Sequence, residues 1–167
     1  TLVSGTVGGS VVGGAAVSGD GTNASATENT VNLKSGTVGG DVYGGYSEQS
    51  ADRNTVNLDG ASVKGNVYGG RAGKSTTENT INLKSGTVSG TIYGGSGTSS
   101  SGNTLNVYGT GLTAGNLANL NKVNFYLPST VTKDTRVLTL NGGNVTDLTW
   151  TEIQAMTNSD TILSVGD

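Results

Sequence analysis

The stretch Asp41-Val-Tyr-Gly-Gly45 returns after a step of 25 residues as Asn66-Val-Tyr-Gly-Gly70. It belongs to a phrase that opens four successive units, at residues 4–14, 35–45, 60–70 and 85–95. A second phrase, Asn-Thr-Val-Asn-Leu or a close variant, closes each unit at residues 29–33, 54–58, 79–83 and 103–107. Variable stretches lie between the two phrases, at residues 15–28, 46–53, 71–78 and 96–102. Because the unit changes in length mainly there, we expect these stretches to be surface loops.

Both phrases alternate apolar and polar residues, which is the period of a β-strand. Val63 and Val67 face one way in the first phrase, and Val56 and Leu58 face the same way in the second. A unit with two short strands cannot bury its apolar face alone, whereas stacked units bury it continuously. The sequence therefore predicts an all-β fold, a parallel β-solenoid of about four 25-residue coils, spaced about 4.8 Å apart.

Charge columns support this stacking. Residues at the 25-residue step alternate in sign, and opposite charges on adjacent strands contribute about 0.2–1 kcal/mol. We expect two salt ladders, which are Glu28, Arg53, Glu78 and Lys34, Asp59, Lys84.

The asparagines that open the second phrase form another column. Stacked Asn side chains make amide ladders and tolerate tight bends, so we expect a ladder at one corner of the coil. Its members are Asn29, Asn54, Asn79 and Asn103. The Gly-Gly pairs predict a second corner, where a positive φ is needed.

The regular pattern decays after Gly109, so we divide one domain into solenoid repeats at 1–109 and a capping or transitional segment at 110–167. Residues 121–125 match the second phrase and predict one shortened coil. The open end of a solenoid needs a cap. We expect bulky side chains to close the core there, namely Phe125, Trp150 and Met156.

Three further elements are expected in this segment. Asn141-Gly-Gly143 is a hairpin-like turn signal, and residues 149–152 have the spacing of a capping box for a short helix at 150–157. Thr161-Ile-Leu-Ser-Val165 predicts a last strand.

The composition excludes several chemistries. The chain has no Cys and no His, so disulfides, thiolate zinc sites, Cys nucleophiles and Ser-His triads are absent. The net charge is −3 and the sequence has no run of basic residues, which argues against a nucleic-acid partner. The repeats lack the calcium-binding nonapeptide, and the loop around Asp20 offers too few oxygens. We expect no metal and no cofactor.

The exposed faces suggest two candidate surfaces. Tyr43, Tyr68 and Tyr93 form a column that is suited to grip a sugar or a protein, although stacking for stability is the plainer interpretation. Tyr46 and Arg71, in the variable stretches, are further contact candidates. An alternative is an ice-binding face of Thr-x-Asn pairs, which are Thr30, Asn32, Thr55, Asn57, Thr80, Asn82, Thr104 and Asn106.

The joined phrases Gly-Thr-Val-x-Gly-x-Val-Tyr-Gly-Gly and Asn-Thr-Val-Asn-Leu, followed by Val-Asn-Phe-Tyr-Leu-Pro at 123–128, resemble the repeats of autotransporter passenger regions from Gram-negative bacteria. The resemblance implies a right-handed parallel β-helix, exported across the outer membrane and displayed at the bacterial surface or secreted. It also implies a structural or adhesive role, with a host-cell or bacterial surface protein or glycan as partner and self-association possible. Membrane contact would run only through a β-barrel of the parent protein, outside this sequence.

We expect no catalysis. The alternative is a polysaccharide-active β-helix enzyme, which would need clustered carboxylates. Glu28 and Glu78 share a column, but Arg53 separates them, so a salt ladder is the better interpretation.

Overall fold

The computed structural model describes residues 1–19, 24–144 and 146–157. Within these ranges every strand pair is parallel. The same ranges hold no helix that is long and apolar enough to cross a membrane. The strands are β1 (Thr6–Val7), β2 (Val11–Ala16), β3 (Thr30–Leu33), β4 (Thr37–Val38), β5 (Val42–Ser47), β6 (Thr55–Val63), β7 (Val67–Ala72), β8 (Ser75–Thr77), β9 (Thr80–Val88), β10 (Thr91–Ser96), β11 (Ser99–Ser101), β12 (Thr104–Val107), β13 (Leu112–Ala114), β14 (Asn116–Ala118), β15 (Lys122–Leu127), β16 (Leu138–Leu140) and β17 (Glu152–Thr157).

The strands form three stacked sheets. Sheet A has ten strands, which are β1, β3, β4, β6, β9, β12, β13, β15, β16 and β17. Sheet B has the order β14-β10-β7-β5-β2, and sheet C pairs β11 with β8. The register follows the repeat, since Val42 lies beside Val67 and Val67 beside Ile92. The expected all-β parallel stack is confirmed, and it is consistent with a β-solenoid.

The core is a file of aliphatic side chains contributed by sheets A and B. Val56, Ile81 and Leu105 of sheet A are fully buried, as are Val67 and Ile92 of sheet B. Burying one such side chain stabilises the fold by about 1.5–3 kcal/mol. Since these residues belong to one cluster that runs through successive units, each unit depends on its neighbours for its hydrophobic stabilisation.

The corner expected at the Gly-Gly pairs is wrong. Gly44 and Gly45 lie inside β5, and neither has a positive φ. A Cβ atom on Gly45 would lie 2.5 Å from Nδ2 of Asn54. A Cβ on Gly44 would lie 2.2 Å from the carbonyl oxygen of Gly69 on the adjacent strand, so both positions are glycine because neighbouring atoms approach too closely for a side chain.

The chain instead turns immediately before each ladder asparagine. Glu28, Arg53 and Glu78 all have a φ between 54° and 59°, and Gly102 occupies the same column at 67°. The corner expected at the asparagines is therefore present, with the left-handed residue one position earlier.

The segment after residue 109 continues the stack. β15 pairs with β12 at a step of 18 residues, since Lys122 lies beside Thr104. Pro128 follows β15 directly. β13 and β14 pair with β9 and β10.

Two local predictions in this segment are wrong. Residues 152–157 form a strand rather than a helix, because the open edge of β15 offers backbone partners to all six of them. The turn signal at 141–143 does not produce a hairpin. β16 pairs in parallel with β13, and the amides of Asn141 and Gly142 donate to the carbonyls of Ala114 and Gly115.

The end of the core is closed by other residues than expected. Trp150 is 89% exposed, and Met156 lies beside Tyr126 in register. Of the three predicted side chains only Phe125 packs against the core, together with Val137, Leu138 and Leu148. The strand predicted at Thr161-Ile-Leu-Ser-Val165 lies outside the described residues.

Candidate functional site: a tyrosine and arginine cluster

Strand alternation places three tyrosines on the outer face of sheet B. Each follows a fully buried aliphatic residue, so its own side chain points outward. The rings of Tyr43 and Tyr68 stack at 4.9 Å with 9° between their planes, and those of Tyr68 and Tyr93 stack at 4.7 Å with 4°. These distances match the strand spacing of about 4.8 Å, so the backbone sets the pitch of the stack.

Stacking determines which parts of the tyrosine rings are accessible to a partner. The inner ring faces cover one another, and Tyr68 is only 9% exposed. The column therefore presents ring edges and hydroxyl groups, and it cannot sandwich a sugar between its members.

Tyr46 and Arg71 lie beside this column. They are register partners on β5 and β7. The Arg71 guanidinium carbon lies 5.9 Å from the ring centres of Tyr43 and Tyr46 and 5.7 Å from that of Tyr68. The rings of Tyr43 and Tyr46 meet edge to face at 5.7 Å. We call these five residues the tyrosine–arginine cluster, which comprises Tyr43, Tyr46, Tyr68, Tyr93 and Arg71.

Hydrogen bonds fix the base of the cluster. The Tyr43 hydroxyl donates to Oδ2 of Asp41 at 2.8 Å, and Nη1 of Arg71 donates to the same hydroxyl at 3.3 Å. Desolvation and then the bond to Asp41 raise the pKa of Tyr43. Desolvation, followed by the negative charge of Asp41, also raises the pKa of Tyr68.

Among the described residues, Arg71 has no carboxylate partner. Its hydrogen bond to Tyr43 raises its pKa, and no ion pair involves it in the part of the chain that the structure describes. Beside it lies an open cavity of about 350 Å³. We call this the Arg71 cleft, and its lining residues are Tyr46, Ser47, Glu48, Arg71, Ala72 and Gly73.

The two predicted salt ladders differ from expectation. Nε of Arg53 lies 3.1 Å from Oε1 of Glu28, with both side chains more than half exposed. Within the described ranges neither Glu78 nor the column Lys34, Asp59, Lys84 forms an ion pair. The Lys84 ammonium instead lies 6.0 Å from the ring centre of Tyr108.

The asparagine column is a continuous amide ladder. Nδ2 of Asn54 donates to Oδ1 of Asn79 at 3.1 Å, and the pattern runs from Asn29 through Asn103. Each backbone N–H donates to the same oxygen of the next member. We call this the inner ladder, because Asn54, Asn79 and Asn103 are fully buried.

A second amide ladder lies on the outer face of sheet A. Nδ2 of Asn57 donates to Oδ1 of Asn32 at 2.7 Å, and the series continues through Asn82, Asn106 and Asn124. Its donors point toward the amino-terminal end, opposite to those of the inner ladder. Beside this outer ladder the threonines Thr30, Thr55, Thr80 and Thr104 lie in one register. The whole Thr-x-Asn set is thus brought onto one face.

Sequence reasoning missed a second aromatic stack. The rings of Tyr108 and Tyr126 stack at 4.5 Å with 10° between their planes. The signal was present, since the 18-residue step that aligns Asn103 with Asn121 also aligns these tyrosines.

No group of acidic side chains within residues 1–19, 24–144 and 146–157 is arranged to hold a metal ion, and the loop position Asp20 lies outside those residues. No protein-family model, curated protein or solved structure matches the chain.

Proposed function

We propose that this chain is a structural and adhesive segment of a bacterial autotransporter passenger, secreted or displayed at the cell surface. Its stack would be a right-handed β-helix of about four 25-residue coils, ended by the segment 110–167. It would contact a host or neighbouring cell through a surface protein or glycan, without catalysis, cofactor or nucleic acid.

The observation that carries this proposal is the tyrosine–arginine cluster. Binding energy at interfaces concentrates in Tyr, Trp and Arg residues that are held rigidly. Here Arg71 and four tyrosines are ordered by stacking and hydrogen bonds before any partner arrives. Ordering in advance lowers the entropy cost of binding. The variable stretches 46–53 and 71–78 begin at this cluster, so they would supply specificity around it.

Adhesion of the immobilised chain to bacterial and epithelial cells tests the proposal. We expect the double variant Tyr46→Ala/Arg71→Ala to lose at least about tenfold in bound cells, because two hot-spot side chains are removed. Arg136→Ala is the matched control, since it removes an exposed arginine that lies outside the variable stretches. Equal adhesion by the double variant would contradict the proposed surface, and no adhesion by the native chain would contradict the function.

The threonine register favours a second candidate, an ice-binding face on sheet A. Regular hydroxyls on a flat sheet suit ordered water, by analogy with other solenoids. The expected result is thermal hysteresis in the native chain that Thr55→Tyr abolishes and Tyr46→Ala does not. Absence of hysteresis in the native chain would eliminate this candidate.

A further inference from the structure

We propose that the Arg71 cleft binds a carboxylated sugar residue of a surface glycan, with the Arg71 guanidinium holding the carboxylate. This inference rests on the adhesive function proposed above and names the chemistry that the surface recognises.

The Arg71 guanidinium is held in place by its neighbours and keeps hydrogen-bonding capacity for a ligand. Three tyrosine rings lie within 6 Å of it, and one of its five N–H donors bonds Tyr43. Within the described ranges the other donors bond no residue, and a rigid planar fork with such donors matches the two oxygens of a carboxylate, whose charge strengthens both hydrogen bonds. A lysine would provide the charge without this geometry.

The surrounding charges restrict the ligand to a single negative group. Glu48 lines the same cleft, and Asp41 lies behind the Tyr43 hydroxyl. A polyanion or a strongly acidic peptide would bring several charges against these carboxylates and against a net charge of −3. One carboxylate on an otherwise neutral molecule avoids that repulsion.

The rest of the cleft suits a hydroxyl-rich ring. Glu48 accepts hydrogen bonds at Oε2 from Ser18, and within the described residues no donor bonds its Oε1, which is then open to accept from sugar hydroxyls. Tyr46 is 38% exposed, and its ring offers an apolar surface for the C–H face of a sugar. A volume of about 350 Å³ lies at the small end of ligand pockets, which suits one sugar residue of a longer chain.

Direct binding of defined sugars provides the test. The probes are galacturonic acid and sialyllactose, which carry one carboxylate each, with the methyl ester of each and neutral lactose as controls. We expect the acids to bind at least about tenfold more tightly than their esters, because esterification removes the charge and one acceptor. Arg71→Lys should lose about tenfold and Arg71→Gln all measurable binding, while Arg136→Gln, at an exposed arginine outside the variable stretches, should bind as the native chain does. Circular dichroism checks that each variant keeps its β-structure.

Several results would overturn the inference. They are equal binding of acid and ester, full binding by Arg71→Gln, or tighter binding of an oligoglutamate peptide than of either sugar acid. If the native chain adheres to cells but binds neither sugar acid, this inference fails and the adhesive function stands. If it neither adheres nor binds, both fail.

Discussion

A left-handed residue marks the corner of every unit, and its identity varies. Glu28, Arg53 and Glu78 carry this strain with a side chain, whereas Gly102 adopts it at little steric cost. The ion pair between Glu28 and Arg53 is one contact that glycine at either position could not make.

Reversing the charge of Arg53 tests that contact. We expect Arg53→Glu to lower the free energy of unfolding by about 0.5–1 kcal/mol at low salt, because it places three like charges in one column. Screening at about 1 M salt should abolish the loss. Urea denaturation measures both, with Arg53→Gln as the control for simple loss of the arginine. An equal loss at both salt concentrations would contradict an electrostatic origin.

Close approach, not turning, explains the paired glycines. In Gly70→Ala the new Cβ would lie 2.4 Å from the carbonyl oxygen of Ala51 and 2.8 Å from Nδ2 of Asn79. Both neighbours are buried or hydrogen-bonded, so we expect a loss of about 1–3 kcal/mol in the free energy of unfolding. Gly9→Ala meets no atom within 4 Å and should stay within about 0.5 kcal/mol. Thermal melts of Gly70→Ala and Gly9→Ala compare the two variants directly. Similar melting temperatures would refute the packing explanation.

Residue type alone could not distinguish these two roles of glycine. A Gly-Gly pair is compatible with a positive φ or with close packing against a neighbouring strand, and the φ angles together with the distance to Asn54 decide between them. The outward tyrosines were predictable because strand alternation fixes their side. The position of Arg71 over three rings was not, because it depends on side-chain rotation rather than on register.

At the scale of the elements, the inner ladder is buried and the outer ladder is partly exposed, so the two should contribute differently to the free energy of unfolding. Asn54 is fully buried, and its removal orphans the carbonyl of Ala26 and the amide of Asn29. We expect Asn54→Ala to lower the free energy of unfolding by about 2–4 kcal/mol. Asn57→Ala, on the partly exposed outer ladder, should cost about 0.5–1 kcal/mol because water replaces the lost bond.

Chemical denaturation of both variants measures this difference. A smaller loss in Asn54→Ala than in Asn57→Ala would show that burial of the inner ladder does not decide its contribution.

Elements inside the repeats were predictable, and those beyond residue 109 were less so. Each strand sequence occurs in several units, so its alternation could be read several times. The alternating charges indicated that residues 25 positions apart are neighbours in the sheet. Residues 150–157 belong to no repeat, so the helix predicted from their capping-box spacing could not be checked against equivalent segments. The free edge of β15, which decides their conformation, exists only in the folded stack.

At the scale of the whole molecule, the stacked tyrosines link stability to alkaline pH. The pKa values of Tyr43 and Tyr68 are raised, first by desolvation. Above about pH 10 the unfolded chain loses these protons before the folded chain does, so the contribution of these tyrosines to stability is constant below that pH and falls as the pH rises through the folded pKa values. Urea midpoints between pH 8 and 11 should show this fall, and Tyr68→Phe should make it shallower. An unchanged slope in that variant would contradict the assignment.

The opposed directions of the two amide ladders have a consequence for the length of the array. In an α-helix, aligned peptide dipoles sum to roughly half a charge at each end. Here one row of amides donates toward the carboxyl-terminal end and the other toward the amino-terminal end, and β-sheets add only a small net dipole. Each further unit lengthens both rows equally, so their axial polarity cancels. Such an array can extend over many units without building up a field at its tips.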